Sequence, residues 1–255
     1  MIDEAERPVL SDVTVVAVTS VAVRPTIGAL LASLEQVQFA KALLLTDEKP
    51  ADMPGSIEWR RIERIASRAD YSRFMLRHLS DHITTSHALC IQWDGFVLDG
   101  RRWDAQFLDY DYIGAPWPQF RDGHTVGNGG FSLRSKKLLD ACRDLEWNGD
   151  EPEDLVIGRL RRTQLEARGI RYAPEQLAAR FAYERTRPSG CEFGFHGAFN
   201  LVRYLRPRDA PELFRSLESG MLVRNERWEL LWWALSRGHF ALAMTMLRKV
   251  RMRGS

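Results

Sequence analysis

The chain is 255 residues long and carries 36 Lys and Arg against 34 Asp and Glu, a net charge of +2. That length suffices for one large α/β domain or two small ones with a real core, and the near-balance of charge gives no nucleic-acid signal. No stretch has the apolar run that a membrane span needs, Met1 to Pro8 is polar and acidic rather than signal-like, and the widely spaced Cys90, Cys142 and Cys191 read as reduced thiols of a cytoplasmic protein.

"VTVVAVTS" (Val13 to Ser20) is a β-branched run bounded by polar residues, the pattern of a strand buried on both faces. "PTIGALLASLEQV" follows with apolar residues at helical spacing and Pro25 in its first turn, where proline is tolerated. "KALLLTD" (Lys41 to Asp47) is the next strand, and "EKPADMPGS" is a turn-rich loop. Strand, helix and strand make a βαβ unit, and a mostly parallel sheet follows from it. "DYSRFMLRHLSDHI" (Asp70 to Ile83) predicts one amphipathic helix, and "HALCIQWDG" a strand that ends in Asp94. Open α/β sheets bind ligands at the carboxyl ends of their strands, which is where Asp94 falls.

Beyond it, "FLDYDYIGAPWPQF" and "HTVGNGGFSLRS" predict short strands and exposed loops rather than a periodic core. "KKLLDACRDL" is a short helix, and "EPEDLVIGRLRRTQLEARGI" a single helix with acids in its first turn and Gly169 behind its last. From Arg208 the chain reads as helices: "APELFRSLESGM", "NERWELLWWALSRG" and "FALAMTMLRKVRMR". The expected division is an α/β domain over residues 1–205 and a helical extension packed on it over 206–255. The tail "MLRKVRMRGS" is charged with one sign only; it reads as a solvated helix end complementing the macrodipole or as a contact with an anionic membrane surface.

Four features carry chemistry: Asp94 in "QWDG", the loop "GNGGFSLRS", the pair Glu153 and Asp154 in "EPEDLVIG", and His196 in "CEFGFHG". Each alone has a structural explanation: an Asp-Gly turn, a tight hairpin, acids favoured at a helix start, and a hydrogen-bonded histidine. A further set, His78, His82 and His87, has part of a zinc-like spacing, but no acid completes it.

Taken in order, these features resemble glycosyltransferases of the GT-A fold. The succession "YDYIGAPW", "GNGGFSLRS", "EDLVIG" and "FHG" is similar to the inverting, metal-dependent branch that includes the fringe-type β1,3-glycosyltransferases. "QxDGF", "YDYIGAPW" and "GNGGFSLR" also look like a bacterial and fungal family of glycosyltransferase-like proteins, over roughly residues 12 to 205. The resemblance implies an α/β, GT-A (Rossmann-like) fold: a mostly parallel central sheet flanked by helices, with a C-terminal helical extension. It implies a nucleotide-sugar donor, a UDP-sugar above others, and a glycan or lipid-linked acceptor in bacterial surface polysaccharide assembly. It places the protein in the cytoplasm or at the inner face of the membrane, with no nucleic-acid partner.

On this resemblance Asp154 is the base that deprotonates the acceptor hydroxyl, with Glu153 as the alternative. Thr19, Ser20, Val21, Gln92, Asp94 and Gly95 would contact the donor, and Trp117, Asn128, Gly129, Gly130, Phe131 and Ser132 the sugars. Asp94 and His196 would hold a divalent cation, Mn²⁺ or Mg²⁺, whose oxygen and nitrogen ligands suit either ion and whose charge offsets that of the departing diphosphate. One position departs from the pattern: the usual Asp-x-Asp motif has Gln92 in place of its first carboxylate. Two other readings are a non-catalytic nucleotide-sugar or glycan-binding module on the same scaffold, and a metal-dependent hydrolase. The hydrolase would need a denser cluster of carboxylates and histidines.

Overall fold

A computed structural model of the protein describes residues 7–149, 151–206, 209–217, 222 and 224–251. By its internal contacts the chain divides into two compact units, Met1–His196 and Gly197–Ser255.

The first unit is built on a six-stranded sheet in the order β3-β2-β1-β4-β6-β5. Its strands are β1 (Val9–Val18), β2 (Gln38–Thr46), β3 (Glu58–Arg61), β4 (His87–Ile91), β5 (Tyr112–Gly114) and β6 (Phe131–Ser135). The β1–β2, β2–β3 and β1–β4 pairs are parallel, while β6 runs antiparallel to both β4 and β5. Helices cover both faces, because alternate residues of β1 point to opposite sides and both sets are apolar. Val13, Val15 and Ala17 share a core with α1 (Val23–Leu34) and α7 (Glu175–Phe181). Val16 and Val18 pack on the other side with α2 (Arg68–Arg77), α3 (Leu79–His82) and α4 (Lys136–Cys142). A mostly parallel central sheet flanked by helices is the architecture expected from the sequence.

The chain winds outward from β1 through β2 to β3 and returns on the other side as β4. The switch point therefore lies between β1 and β4, and the crevice outside their carboxyl ends is where such sheets take ligands. Because β6 is antiparallel, its first residue Phe131 pairs with the last residue of β4, Ile91. The loop before β6 is thereby delivered to the same edge as Asp94.

Three local expectations are corrected. The Asp70–Ile83 helix is broken at His78 into α2 and α3, with Ser67 capping α2 by accepting from the Asp70 amide at 3.0 Å. The helix after Glu151 is also discontinuous: α5 (Glu153–Leu155) leads into a π turn (Val156–Leu160), and α6 (Arg162–Ala167) begins after Arg161 leaves helical geometry. Wide turns of this kind recur where a helix is bent around a functional group. The segments around β5 and β6 are core and not exposed loop: Tyr112, Ile113, Ala115, Val126, Phe131 and Leu133 are all buried. The two short strands β7 (Ala182–Tyr183) and β8 (Gly194–Phe195) pair in parallel and carry His196 inward.

The second unit is helical, with α8 (Ala198–Leu201), α9 (Ala210–Ser216), α10 (Arg224–Ser236) and α11 (Phe240–Arg251). The hairpin of α10 and α11 packs through Leu230, Leu231, Ala234, Leu242, Ala243 and Met246. No described helix is long and apolar enough to cross a membrane.

At the end of β6, Ser135 Oγ donates to Asp111 Oδ1 at 2.6 Å and accepts from the Leu138 amide at 3.0 Å, capping α4. Ser135→Ala removes the cap and strands a buried acceptor, so it should cost about 1–2 kcal/mol, read as a lower midpoint in urea unfolding with an unchanged slope.

Candidate functional site

Asp94 follows β4 and is 5% exposed, with Gly95 closing a turn by donating its N–H to the Gln92 carbonyl at 3.2 Å. Its Oδ1 is buried without a hydrogen-bond partner and lies 3.3 Å from His196 Nε2. The two atoms are close enough but not aligned for a hydrogen bond, so the contact is ionic. On the opposite side of the imidazole, Glu184 Oε1 lies 3.3 Å from Nδ1. Burial pulls the His196 pKa down, but the Asp94 and Glu184 carboxylates outweigh it and hold the ring well above its ordinary value. His196 thus lies between two carboxylates that both favour its charged form.

The glycine loop fills the space between this pair and the helix start. Asn128 sits in the left-handed region at φ 69°, which asparagine tolerates better than most residues. Its Oδ1 accepts from the Gly130 and Phe131 amides at 2.8 and 3.2 Å, and its Nδ2 lies 3.2 Å from His196 Nδ1. A Cβ on Gly130 would overlap the His196 ring, and one on Gly129 would overlap Glu153 Oε1. The two glycines are required by close approach, not by turn geometry.

Asp154 Oδ2 accepts from the Gly129 amide at 3.1 Å and Oδ1 from its neighbour Leu155 at 2.8 Å. Part of its surface stays open to solvent. It is packed around closely enough that burial, reinforced by the charge of Glu153, pushes its pKa up to about 6 against those hydrogen bonds and Arg134. Glu153 itself is buried in an ion pair, its Oε1 2.9 Å from Arg134 Nη2.

The remaining predicted residues fall into two groups. Thr19, Ser20 and Val21 leave the end of β1, where Thr19 Oγ1 accepts from the Val21 and Ala22 amides and Ser20 Oγ from the Ile65 amide. Ser20 also reaches Asp47, beside an open cleft of about 470 Å³ lined by Asp47, Glu48 and residues 61–64. The sugar-facing set is mostly interior. The Phe131 ring is fully buried against Phe181 and Phe193, so it has no face open to a sugar. Ser132 is fully buried, its Oγ accepting from Arg134 Nε at 3.0 Å. Trp117 packs on Phe120 and the Gly127 backbone and is 6% exposed. The Gln92 side chain lies within hydrogen-bonding reach of the Tyr71 hydroxyl.

Of the histidines set aside for zinc, His78 and His82 pack on Phe74 while His87 bonds Ser86. Among the described residues no three His, Cys, Asp or Glu side chains converge on one metal position. Sequence reasoning missed two residues. Glu184 follows β7 in no recognisable motif, whereas Arg134, a lone cation in the buried strand "FSLRS", signals an acid partner.

A family model, DUF5672, described as a protein of unknown function, matches residues 56–196, more than half of the chain. The chain belongs to this family. No curated protein matches its sequence. Among solved structures it is similar to the galactosyltransferase LgtC in complex with donor and acceptor sugar analogs (15% identity, 85% of this chain and 100% of that one, TM-score 0.49). It is also similar to the mannosyltransferase PcManGT from Pyrobaculum calidifontis in complex with GDP-Man and Mn²⁺ (12% identity, 96% of this chain and 76% of that one, TM-score 0.45). A third is the apo-form glycosyltransferase GlyE in Streptococcus pneumoniae TIGR4 (15% identity, 94% of this chain and 63% of that one, TM-score 0.46). Likeness at this level assigns no activity.

Asp94 contributes most to raising His196, so Asp94→Asn should bring the ring's NMR titration midpoint in EDTA down toward about 6.5. The sign for stability follows from a raised folded-state pKa. The contact stabilises fully below the unfolded value and fades as pH rises through the folded one. The melting-temperature gap between wild type and Asp94→Asn should therefore narrow at alkaline pH.

Proposed function

We propose that this member of the DUF5672 family is a glycosyltransferase that moves a sugar from a UDP-sugar to a glycan or lipid-linked acceptor with inversion, and that Asp154 is its base. The observation that carries this reading is Asp154 itself. It is a carboxylate with a pKa near 6, part open to solvent and fixed by the glycine loop. It stands at the ligand-binding edge of the sheet, on the far side of that loop from Asp94 and His196. A base whose pKa lies near the working pH is ionised and still able to take a proton.

Asp94 and His196 fit a divalent cation. Asp94 Oδ1 lacks a hydrogen-bond donor and faces an imidazole nitrogen at 3.3 Å, and one oxygen with one nitrogen suits Mn²⁺ as well as Mg²⁺. Two protein ligands leave the rest of the shell to diphosphate oxygens and water. When bound there, the ion supplies positive charge for the departing diphosphate. Glu184, on the other ring nitrogen, orients the imidazole toward that position. The cleft beside Ser20 and Asp47 would receive the nucleoside.

The same reading sets the protein at the inner face of a membrane where lipid-linked acceptors reside. Trp228, Trp232 and Leu235 recur at helical spacing on α10 and are exposed, Trp232 by 74%. Phe240 and Met244 are exposed on α11, two turns and one turn before the exposed Arg248. Large apolar side chains beside basic ones suit an anionic lipid surface. The basic tail's last residues, 252–255, lie outside the described residues.

A thermal-shift panel of UDP-, GDP-, dTDP- and CMP-sugars with and without Mn²⁺ should give the largest stabilisation with a UDP-sugar and Mn²⁺. With that donor, Asp154→Asn should lower single-turnover transfer by about a hundredfold or more while donor binding survives. Wild-type turnover should fall as pH drops below about 6, where Asp154 takes up a proton. Donor binding without any transfer by the wild type would leave a nucleotide-sugar-binding module.

The wild-type chain should float with phosphatidylserine vesicles at low salt, and a Trp228→Ser, Trp232→Ser, Phe240→Ser triple variant should not. If the wild type stays in solution, the membrane drops out of the reading.

A further inference from the structure

Four side chains converge on the backbone of one residue, Gly129, across the two peptide units that meet at its Cα. Its N–H donates to Asp154 Oδ2 at 3.1 Å. Its carbonyl accepts from Ser132 Oγ and from Arg134 Nη2, each at 3.4 Å. The same Nη2 donates to Glu153 Oε1 at 2.9 Å, and that oxygen lies where a Cβ on Gly129 would be. Arg134 is 0% exposed and Glu153 4%. A fully buried arginine needs a reason beyond stability, since apolar residues of similar volume often hold a fold as well as a buried ion pair.

The groups facing the pair are Asp154 from the same turn as Glu153, Tyr71 from α2, Cys90 from β4 and Tyr112 from β5, with Cys142 of α4 further off. Burial pushes both phenols up and the two thiols to about 11 and about 12, so all four are neutral at neutral pH. The charges left in this pocket are Arg134, Glu153 and Asp154.

We propose that Arg134 and Glu153 are positioning residues that clasp the Gly129 peptide, hold its N–H on Asp154 Oδ2 and set one negative charge beside that carboxylate. The inference rests on the reading of Asp154 as base, but its geometry does not. The two members act on Asp154 in opposite senses. Glu153 opposes its ionisation through charge, while Arg134 favours it through its own charge and through the Gly129 N–H it keeps in place.

The test needs no substrate. The carboxyl signal of Asp154, assigned by its disappearance in Asp154→Asn, is followed by ¹³C NMR against pH, with exchange of the Gly129 amide measured alongside. Glu153→Gln keeps the shape and removes the charge, and should lower the Asp154 midpoint by about one pH unit. Arg134→Lys keeps the charge but loses the planar fork. It should raise the midpoint and speed Gly129 amide exchange by about tenfold or more. Opposite shifts from the two ends of one pair do not arise from general loosening. Midpoints that stay put in both variants, or move the same way, overturn the proposal, and if one variant fails to fold the other still decides by its own direction. Transfer that survives Asp154→Asn, with these shifts intact, would remove the base and leave the clasp.

Discussion

Two charges without water, Arg134 and Glu153, set the terms for the rest of the first unit. An ion pair buried this deeply is maintained only if its hydrogen bonds are made, because removing either partner leaves a desolvated charge. Arg134 makes three, from Nε to Ser132 and from Nη2 to Glu153 and the Gly129 carbonyl, while its buried Nη1 is left without a hydrogen-bond partner. Those bonds bring together the strand β6, the loop before it and the start of α5. Glu153 in turn is placed by its amide, which donates to Ser72 Oγ of α2 at 3.2 Å. The switch-point edge of the sheet is therefore tied to the helix layer behind it through polar groups, where an ordinary core would use apolar ones.

That tie explains why the loop is glycine-rich. With Glu153 drawn against Gly129 and the His196 ring against Gly130, consecutive positions have no room for a Cβ. Asn128 completes the turn and satisfies two amides that would otherwise be stranded. Function and packing are not separable here: the residues that fit the loop into its space also present the Gly129 amide to Asp154 and the Asn128 side chain to His196.

How much of this was legible in the sequence depended on whether the signal was local. Val13 to Ser20 reads as a doubly buried strand, and Val13 to Val18 are the largely buried part of one, because a β-branched run has few other places to go, while Thr19 and Ser20 lie past its end. The βαβ start followed directly from it. The helices failed at their breaks, at His78 and at the π turn after Leu155, because apolar periodicity continues across both and only tertiary packing interrupts it. Phe131 and Ser132 looked like sugar contacts because they stand in the most distinctive motif. The motif lines the site with backbone, and β6 is covered on both faces, so its adjacent side chains point to opposite sides and are both interior. Glu184 left no trace in the sequence, since its role comes from the β7–β8 pairing that brings it to His196 across the fold. Arg134 was readable in retrospect as a cation on a strand with no aqueous side.

The edge holds two acidic clusters with opposite solutions to one electrostatic problem. Glu153 and Asp154 have a cation of their own, Arg134, built into the sheet and unable to leave. Asp94 and Glu184 flank an imidazole, whose positive charge is a removable proton. The first arrangement keeps a carboxylate near neutrality of charge and fixed in place, as a base requires. The second leaves an acidic position whose cation can be exchanged for another, as a metal site requires. One loop separates them, with Gly129 facing the first cluster and Gly130 the second. Glu153 takes the Cβ space of Gly129 and the His196 ring that of Gly130, so two consecutive glycines are enough to keep the clusters apart. In the inverting transfer proposed for this site, the attacking hydroxyl and the departing diphosphate would occupy opposite sides of one carbon, a division that two clusters on either side of a thin backbone wall would match.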